Sequence, residues 1–208
     1  MSNKVLAISS HPDDIEIGCG ATLAQIAQDG ADITLLVLSY HHQDFKGLDE
    51  NIKLFELRNS TEKLGINKYV EIKDFPNRKF YEHYNEISEL FFDISEEIDP
   101  DIVFLPASSD YHQDHRTVYE TGVRAFKECT MLGYEVPWDH RIFHPEVFFT
   151  LEEKYIMQKC DAIECYKSVY MKHGSTLREL MISLARVRGS QVRTEYAEAF
   201  ECIKMVLR

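Results

Sequence analysis

The chain has 208 residues, of which 44% are hydrophobic, and its 23 lysines and arginines against 35 aspartates and glutamates give a formal net charge of −12. This length and apolar content suit one α/β domain with a sizeable core, so we expect residues 1–208 to form a single domain. The acidic balance, without a lysine- or arginine-rich cluster, argues against nucleic acid and anionic membranes as partners.

The amino terminus shows no basic segment followed by an apolar stretch and a cleavage site, and no apolar run is long enough to span a bilayer. The five cysteines form no CxxC pair, so reduced thiols are the expected state. Together these features predict a cytoplasmic protein without a membrane span.

Short apolar runs alternate with helical patterns along most of the chain. The expected strands cover residues 5–9, 33–38, 69–72, 102–105 and 147–150. The expected helices cover residues 14–28, 49–64, 83–98, 117–127, 156–170, 176–186 and 196–206, with a loop over 133–144. Alternating strands and helices predict an α/β fold whose parallel sheet has right-handed crossovers.

A first chemical motif stands where the first strand gives way to the first helix. It consists of His11, Pro12, Asp13 and Asp14. In open α/β sheets, ligands bind in the crevice at the carboxyl ends of the strands, so one imidazole and two carboxylates are expected there. Taken alone, Asp13 or Asp14 at this place also fits an ordinary helix N-cap.

A second motif follows the fourth strand, where residues 110–115 read DYHQDH. His112 and His115 are three residues apart, as are His11 and Asp14, so each pair can turn toward one point. Alone, the second motif also fits a solvated loop. The joint placement of the two motifs after parallel strands favours a metal site.

Imidazoles and a carboxylate without thiolate are typical of a catalytic zinc site with three protein ligands and an open position for water. Asp13, beside the ligands, can serve as general base for that water. The imidazole that does not bind metal can stabilise an oxyanion, with a carboxylate such as Asp114 to orient it. The spacing does not decide whether His112 or His115 is the ligand.

The two motifs, HPDDIEIGCG from residue 11 and HQDH from residue 112, resemble those of the PIG-L/LmbE-like zinc-dependent N-acetyl sugar deacetylases. Residues 188–191 and 196–200 also resemble the carboxyl-terminal region of that family. The resemblance implies a Rossmann-like parallel-sheet sandwich with helices on both faces.

The resemblance also implies a role for each motif residue. By similarity, His11, Asp14 and His115 are the zinc ligands and Asp13 is the general base. It further implies that His112 stabilises the oxyanion, with Asp114 as its partner.

One departure from the family affects the substrate side. Many members have an arginine three residues before the glutamate that corresponds to Glu56, and this chain has Lys53 there. A lysine can hydrogen-bond a hydroxyl or a phosphate but lacks the planar fork of arginine. Tyr40 and Arg78 are further candidates for sugar contacts, whereas His140 is interpreted as structural or solvated.

The sequence therefore predicts a zinc hydrolase that removes the acetyl group from a small N-acetylated amino sugar or its conjugate. The metal chemistry follows from the residues, and the substrate class follows only from the resemblance. Two alternatives stay open: a zinc hydrolase of another amide or ester, and a non-catalytic metal- or glycan-binding module. Another divalent metal in place of zinc and a homo-oligomer also stay open.

Overall fold

The computed structural model describes residues 4–40, 50–66, 68–170 and 176–207. Its strands are β1 (Lys4–Ser9), β2 (Asp32–Val37), β3 (Lys68–Ile72), β4 (Ile102–Pro106), β5 (Thr130–Tyr134), β6 (Val147–Leu151) and β7 (Tyr196–Lys204). Its α-helices are α1 (Asp14–Gln28), α2 (Glu50–Lys63), α3 (Tyr84–Ile98), α4 (Gln113–Ala125), α5 (Glu153–Ile163), α6 (Lys167–Tyr170) and α7 (Thr176–Gln191).

Within the described residues, seven strands form one mixed sheet with the order β3-β2-β1-β4-β5-β7-β6. The five strands from β3 to β5 are parallel, whereas β7 is antiparallel to both of its neighbours, β5 and β6. The predicted α/β class and the parallel Rossmann-like part are therefore confirmed, and an antiparallel pair extends them at one edge.

Side chains alternate across the sheet and build two separate cores. On β1, Val5 and Ala7 pack into a core with residues of α1, α5 and α7, whereas Leu6 and Ile8 pack with residues of α3 and α4 on the other face. All four side chains are at most 1% exposed. Such burial on both faces explains why the parallel strands appear in the sequence as continuous apolar runs.

Helix α1 has the predicted boundaries, whereas helix α4 starts earlier than predicted. Helix α1 spans the predicted residues, and Gly30 follows it with φ 91°, a left-handed conformation that glycine adopts without a steric penalty. Helix α4 starts at Gln113, four residues earlier than predicted, so His115 lies on the helix and not in the loop before it.

Two predictions for the carboxyl-terminal half are wrong. Residues predicted as a helix over 196–206 form β7, and the predicted loop over 133–144 begins inside β5. The alanines and glutamates of β7 favour a helix, but pairing with β5 and β6 and burial of Tyr196 and Phe200 outweigh that preference. The predicted helix over 156–170 is divided into α5 and α6.

The topology creates a crevice beside the central strand. The chain runs from β1 outward to β2 and β3, and then returns to β4 on the opposite side of β1. The carboxyl ends of β1 and β4 therefore flank the point where the strand order reverses, which is where open α/β sheets bind ligands. Over the described ranges, no helix has the length and apolarity needed to cross a membrane.

Candidate metal centre

Both sequence motifs lie at this reversal point. His11 comes two residues after the end of β1, and Asp14 is the first residue of α1. His115 lies in the first turn of α4, which follows β4. The exposed fractions of His11, Asp14 and His115 are 6%, 5% and 2%, so the fold buries all three side chains in the crevice.

Three potential ligand atoms converge there. Nδ1 of His11 lies 3.4 Å from Nε2 of His115, and Oδ2 of Asp14 lies 3.6 Å and 3.3 Å from these two nitrogens, respectively. A tetrahedral zinc ion with ligand bonds of about 2.0–2.1 Å separates its ligand atoms by about 3.3–3.4 Å. The three atoms therefore stand close to the corners of one face of such a tetrahedron, and the donor set fits a divalent ion such as zinc.

The electrostatics of the cluster favour positive charge at its centre. Burial would raise the pKa of Asp14, but the imidazoles of His115 and His11 hold it well below its usual range. Burial would lower the pKa of His115, but the carboxylates of Asp14 and Asp110 raise it well above its ordinary value. The carboxylates thus stabilise a cation between them, whether protons or a metal ion carry the charge.

Each of the two candidate ligand histidines is held by a carboxylate on its other nitrogen. Nε2 of His11 donates to Oδ2 of Asp114 at 2.9 Å, and Nδ1 of His115 donates to Oδ2 of Asp110 at 2.7 Å. Both carboxylates are almost completely buried. This arrangement is usual for histidines that bind metal, because the second hydrogen bond fixes the tautomer and the ring orientation.

The partner of Asp114 differs from the sequence-based expectation. The family resemblance implies that this carboxylate orients His112. In the structure it contacts His11 and also accepts backbone N–H groups from Arg78 at 2.7 Å and from Phe80 at 3.2 Å. The reason is that α4 starts early: Asp114 lies in its first turn, and its side chain points across the crevice toward the segment before α3.

His112 is the third imidazole of the centre. It is the N-cap of α4, and its Nδ1 accepts the backbone N–H of Asp114 at 3.2 Å. Burial and the neighbouring His115 and His11 lower the pKa of His112 to about 4, so the ring is neutral near pH 7. Because Nδ1 is the acceptor, the neutral ring carries its proton on Nε2. One nitrogen from each of the three histidines lies within 4.8 Å of the others.

Asp13 precedes α1 in a strained backbone conformation. Its φ of 90° and ψ of −21° are left-handed, and its side chain makes no capping hydrogen bond to the helix. Asp13 therefore occupies the predicted N-cap position, but its side chain does not cap the helix. Backbone strain of this kind costs about 1–3 kcal/mol and is concentrated at functional sites.

The three candidate substrate contacts lie in different environments. Lys53 is buried on α2, Tyr40 is half-buried shortly after β2, and Arg78 is exposed. Arg78 has a left-handed φ of 62°, and its backbone N–H, not its guanidinium group, supports Asp114. A contact of any of these side chains with substrate stays a prediction.

Asp110, Asp139 and His140 complete the surroundings of the centre, and the sequence analysis assigns none of them a role there. Asp110 offers one signal, because it belongs to the second motif and precedes His115 by five residues. Asp139 and His140 offer none, since they follow β5, a strand that the sequence pattern does not reveal. An isolated β-bridge between Asp110 and His140 brings this segment to the centre.

Comparison with known proteins gives consistent matches. The family model for GlcNAc-PI de-N-acetylases, PIG-L, matches residues 6–126, which contain both motifs. The uncharacterized deacetylase YaiS of Escherichia coli (strain K12) is 34% identical over 169 residues, which are 79% of this chain and 90% of YaiS. The diacetylchitobiose deacetylase of Thermococcus kodakarensis is 25% identical over 199 residues, 85% of this chain and 71% of that protein.

A solved structure agrees with the fold. The crystal structure of a conserved protein from Thermus thermophilus has a TM-score of 0.82 to this chain at 23% identity. The similarity covers 99% of this chain and 97% of that one, so it includes the antiparallel edge as well as the parallel strands. At this identity it concerns the fold alone.

Proposed function

The chain belongs to the PIG-L family of de-N-acetylases, and from this membership and the geometry of its metal centre we propose that it is a zinc-dependent hydrolase removing the N-acetyl group of an amino sugar or amino-sugar conjugate. The observation that carries the proposal is the convergence of Nδ1 of His11, Oδ2 of Asp14 and Nε2 of His115 within 3.3–3.6 Å of one another. A candidate base, Asp13, is next to one ligand in sequence.

The proposed ligands are His11, Asp14 and His115, with Asp114 and Asp110 as positioning residues behind the two imidazoles. These residues would hold a zinc ion, which when bound would lower the pKa of a coordinated water to roughly 7 and would polarise the substrate carbonyl. The carboxylates behind the imidazoles fix the ring planes and strengthen both nitrogens as donors to a metal.

Asp13 is the proposed general base. Its side chain makes no capping hydrogen bond to α1, and it directly precedes Asp14, whose Oδ2 lies in the ligand cluster. The carboxylate can take a proton from the attacking water and later transfer it to the leaving amine, so that one group serves both proton transfers.

His112 is the proposed group that stabilises the oxyanion. A neutral imidazole whose Nδ1 already accepts a backbone N–H has only its Nε2–H to offer, and this is a hydrogen-bond donor. A fixed donor aimed at developing negative charge is typically worth about 2.7–4 kcal/mol of transition-state stabilisation. The hydrogen bond to Asp114 N–H thus fixes the tautomer that this role requires.

The proposed substrate is a small N-acetylated sugar, and Lys53, Tyr40 and Arg78 are the proposed contacts to its hydroxyl groups. The Thermococcus relative is by name a deacetylase of a chitobiose sugar, which supports this class. The net charge of −12 favours a neutral substrate over an anionic one.

The proposal is tested by measuring bound zinc and acetate release together. Purified chain is expected to bind one zinc ion tightly and to release acetate and free amine from at least one member of a panel containing N-acetylglucosamine, N-acetylgalactosamine and N,N'-diacetylchitobiose. Asp13→Asn is expected to keep the tight zinc and to lose at least about 100-fold in turnover. Asp29→Asn, an exposed aspartate at the other end of α1, is the matched control and is expected to behave as wild type.

Three outcomes would contradict the proposal. Hydrolysis of a simple ester or a non-sugar amide, without acetate release from any sugar, would indicate another zinc hydrolase. Sugar binding without any turnover, or an Asp13→Asn variant with full activity, would remove the proposed mechanism.

A further inference from the structure

A second group of potential metal ligands lies beside the first. The loop after β4 and the loop after β5 are joined by a β-bridge between Asp110 and His140 and by a hydrogen bond of 3.0 Å from Tyr111 N–H to the Asp139 carbonyl. This pairing places the side chains of Asp110, Asp139 and His140 in one region. None of the three is among the proposed ligands of the first centre.

His140 is a buried imidazole with one nitrogen unsatisfied. Its side chain is 3% exposed, and its Nδ1 is within hydrogen-bond distance of Ser109 Oγ at 3.0 Å. Within the part of the chain that the structure describes, its Nε2 has no hydrogen-bond partner, and it lies 3.8 Å from Oδ2 of Asp110. Leaving a buried polar atom in this state costs about 1–3 kcal/mol unless a water or an ion satisfies it.

Asp139 adds a second carboxylate to the same place. One of its oxygens lies within 4.8 Å of ligand atoms of Asp110 and of His115. An unsatisfied imidazole nitrogen and two repelling carboxylates are together stabilised by a cation between them.

We propose that Asp110, Asp139 and His140 form a second divalent-cation site, distinct from the centre of His11, Asp14 and His115. One imidazole and two carboxylates favour a borderline ion such as Zn²⁺ or Co²⁺ over Mg²⁺ or Ca²⁺, which prefer oxygen ligands alone.

The second site is weaker than the first. Oδ2 of Asp110 is shared with Nδ1 of His115, which donates to it at 2.7 Å. The separation of 3.8 Å between Asp110 Oδ2 and His140 Nε2 corresponds to a ligand–metal–ligand angle of about 130° for bonds of about 2.1 Å, wider than a tetrahedral angle. The two groups must close slightly to bind an ion, and Asp139 is only half-buried.

The test is a titration of metal-free full-length chain with Zn²⁺ against a competing chelator at pH 8, repeated with Co²⁺ and read by its visible absorption. Wild type is expected to bind one equivalent tightly and a second more weakly. His140→Ala and Asp139→Asn are each expected to keep the tight equivalent, which also reports correct folding, and to weaken the second at least tenfold. His144→Ala, an exposed histidine four residues further on, is the control and is expected to keep both.

A variant of the first centre completes the test. His11→Ala is expected to lose the tight equivalent and to keep the weaker one. A single equivalent in wild type, or a second one that persists unchanged in both His140→Ala and Asp139→Asn, would overturn the inference and leave a water or a proton beside His140. Because the titration involves no substrate, its result does not depend on whether the chain releases acetate.

Discussion

Replacement of Asp114 by asparagine separates two explanations of what this carboxylate does. Its oxygens accept three N–H groups, from His11 Nε2 at 2.9 Å, Arg78 N at 2.7 Å and Phe80 N at 3.2 Å, and the residue is fully buried. An asparagine has one acceptor oxygen, so its amide N–H₂ must face at least one of these donors. If Asp114 acts through His11, Asp114→Asn weakens zinc binding; if it acts through His112, the variant lowers turnover only.

The magnitudes follow from the contacts. A group that supports a metal-bound histidine typically contributes 10–100-fold in metal affinity, so the zinc dissociation constant of Asp114→Asn should rise by that factor, about 1.4–2.7 kcal/mol. The donor left without an acceptor costs about 1–3 kcal/mol of the free energy of unfolding of the metal-free protein. Turnover at saturating zinc should fall far less than zinc affinity.

The assay is chelator competition for zinc, with acetate release measured at saturating zinc and urea unfolding measured on metal-free protein. Asp161→Asn is the matched control. Asp161 is an exposed residue of α5 that forms an ion pair with Arg178, so its replacement should change none of the three quantities. Zinc affinity within twofold of wild type together with a large loss of turnover would refute the assignment of Asp114 to His11.

Two further predictions concern stability. Gly18→Ala should lower the free energy of unfolding by about 1–3 kcal/mol in urea, because its Cβ would lie 2.5 Å from Cδ2 of Tyr134. In Gly20→Ala the Cβ would come no closer than 3.3 Å to another side chain, at Cγ of Lys159, so this variant should stay within about 1 kcal/mol of wild type. Equal losses in the two variants would contradict the packing argument. Burial and the charge of Asp110 raise the pKa of Asp139 from 3.8 to about 6. The contribution of Asp139 to the free energy of unfolding is therefore most favourable below pH 3.8 and is lost as the pH rises through 6. At pH 7.5, metal-free Asp139→Asn should therefore be more stable than wild type by about 1 kcal/mol, a value reduced because the Asp139 side chain is partly exposed to solvent. Near pH 4 the two proteins should be equally stable. A difference in stability that does not change with pH would contradict this prediction.

The sequence predicts the position of the centre because that position depends on local signals. An apolar run followed at once by His11 and Asp14, and another followed by His115, places these residues at the ends of strands. In parallel sheets the ends of neighbouring strands meet, and the structure brings the three side chains together as expected. Their role as zinc ligands stays a prediction.

The surroundings of the centre depend on tertiary contacts and are not predictable in the same way. The pairing of Asp114 with His11 depends on α4 starting at Gln113 and on backbone N–H groups from Arg78 and Phe80. The approach of His140 depends on β5, and β7 beyond it has the composition of a helix. Sequence periodicity reports burial along one element, and it contains no information about which loop lies against another.

This difference in predictability suggests that the loops at the carboxyl edge of the sheet have different roles. The candidate ligands come from the segments after β1 and β4, which are adjacent strands and cannot separate without breaking the sheet. The carboxylates behind the imidazoles, Asp114 and Asp110, also come from the segment after β4. Further groups around the centre come from the segments after β3 and β5, such as the left-handed Arg78 backbone and the Asp139–His140 pair. These outer segments can change in length and composition while the ligand geometry is preserved. We therefore expect substrate choice in this chain to be set mainly by the outer loops, and metal binding and the hydrolytic chemistry by the two inner ones.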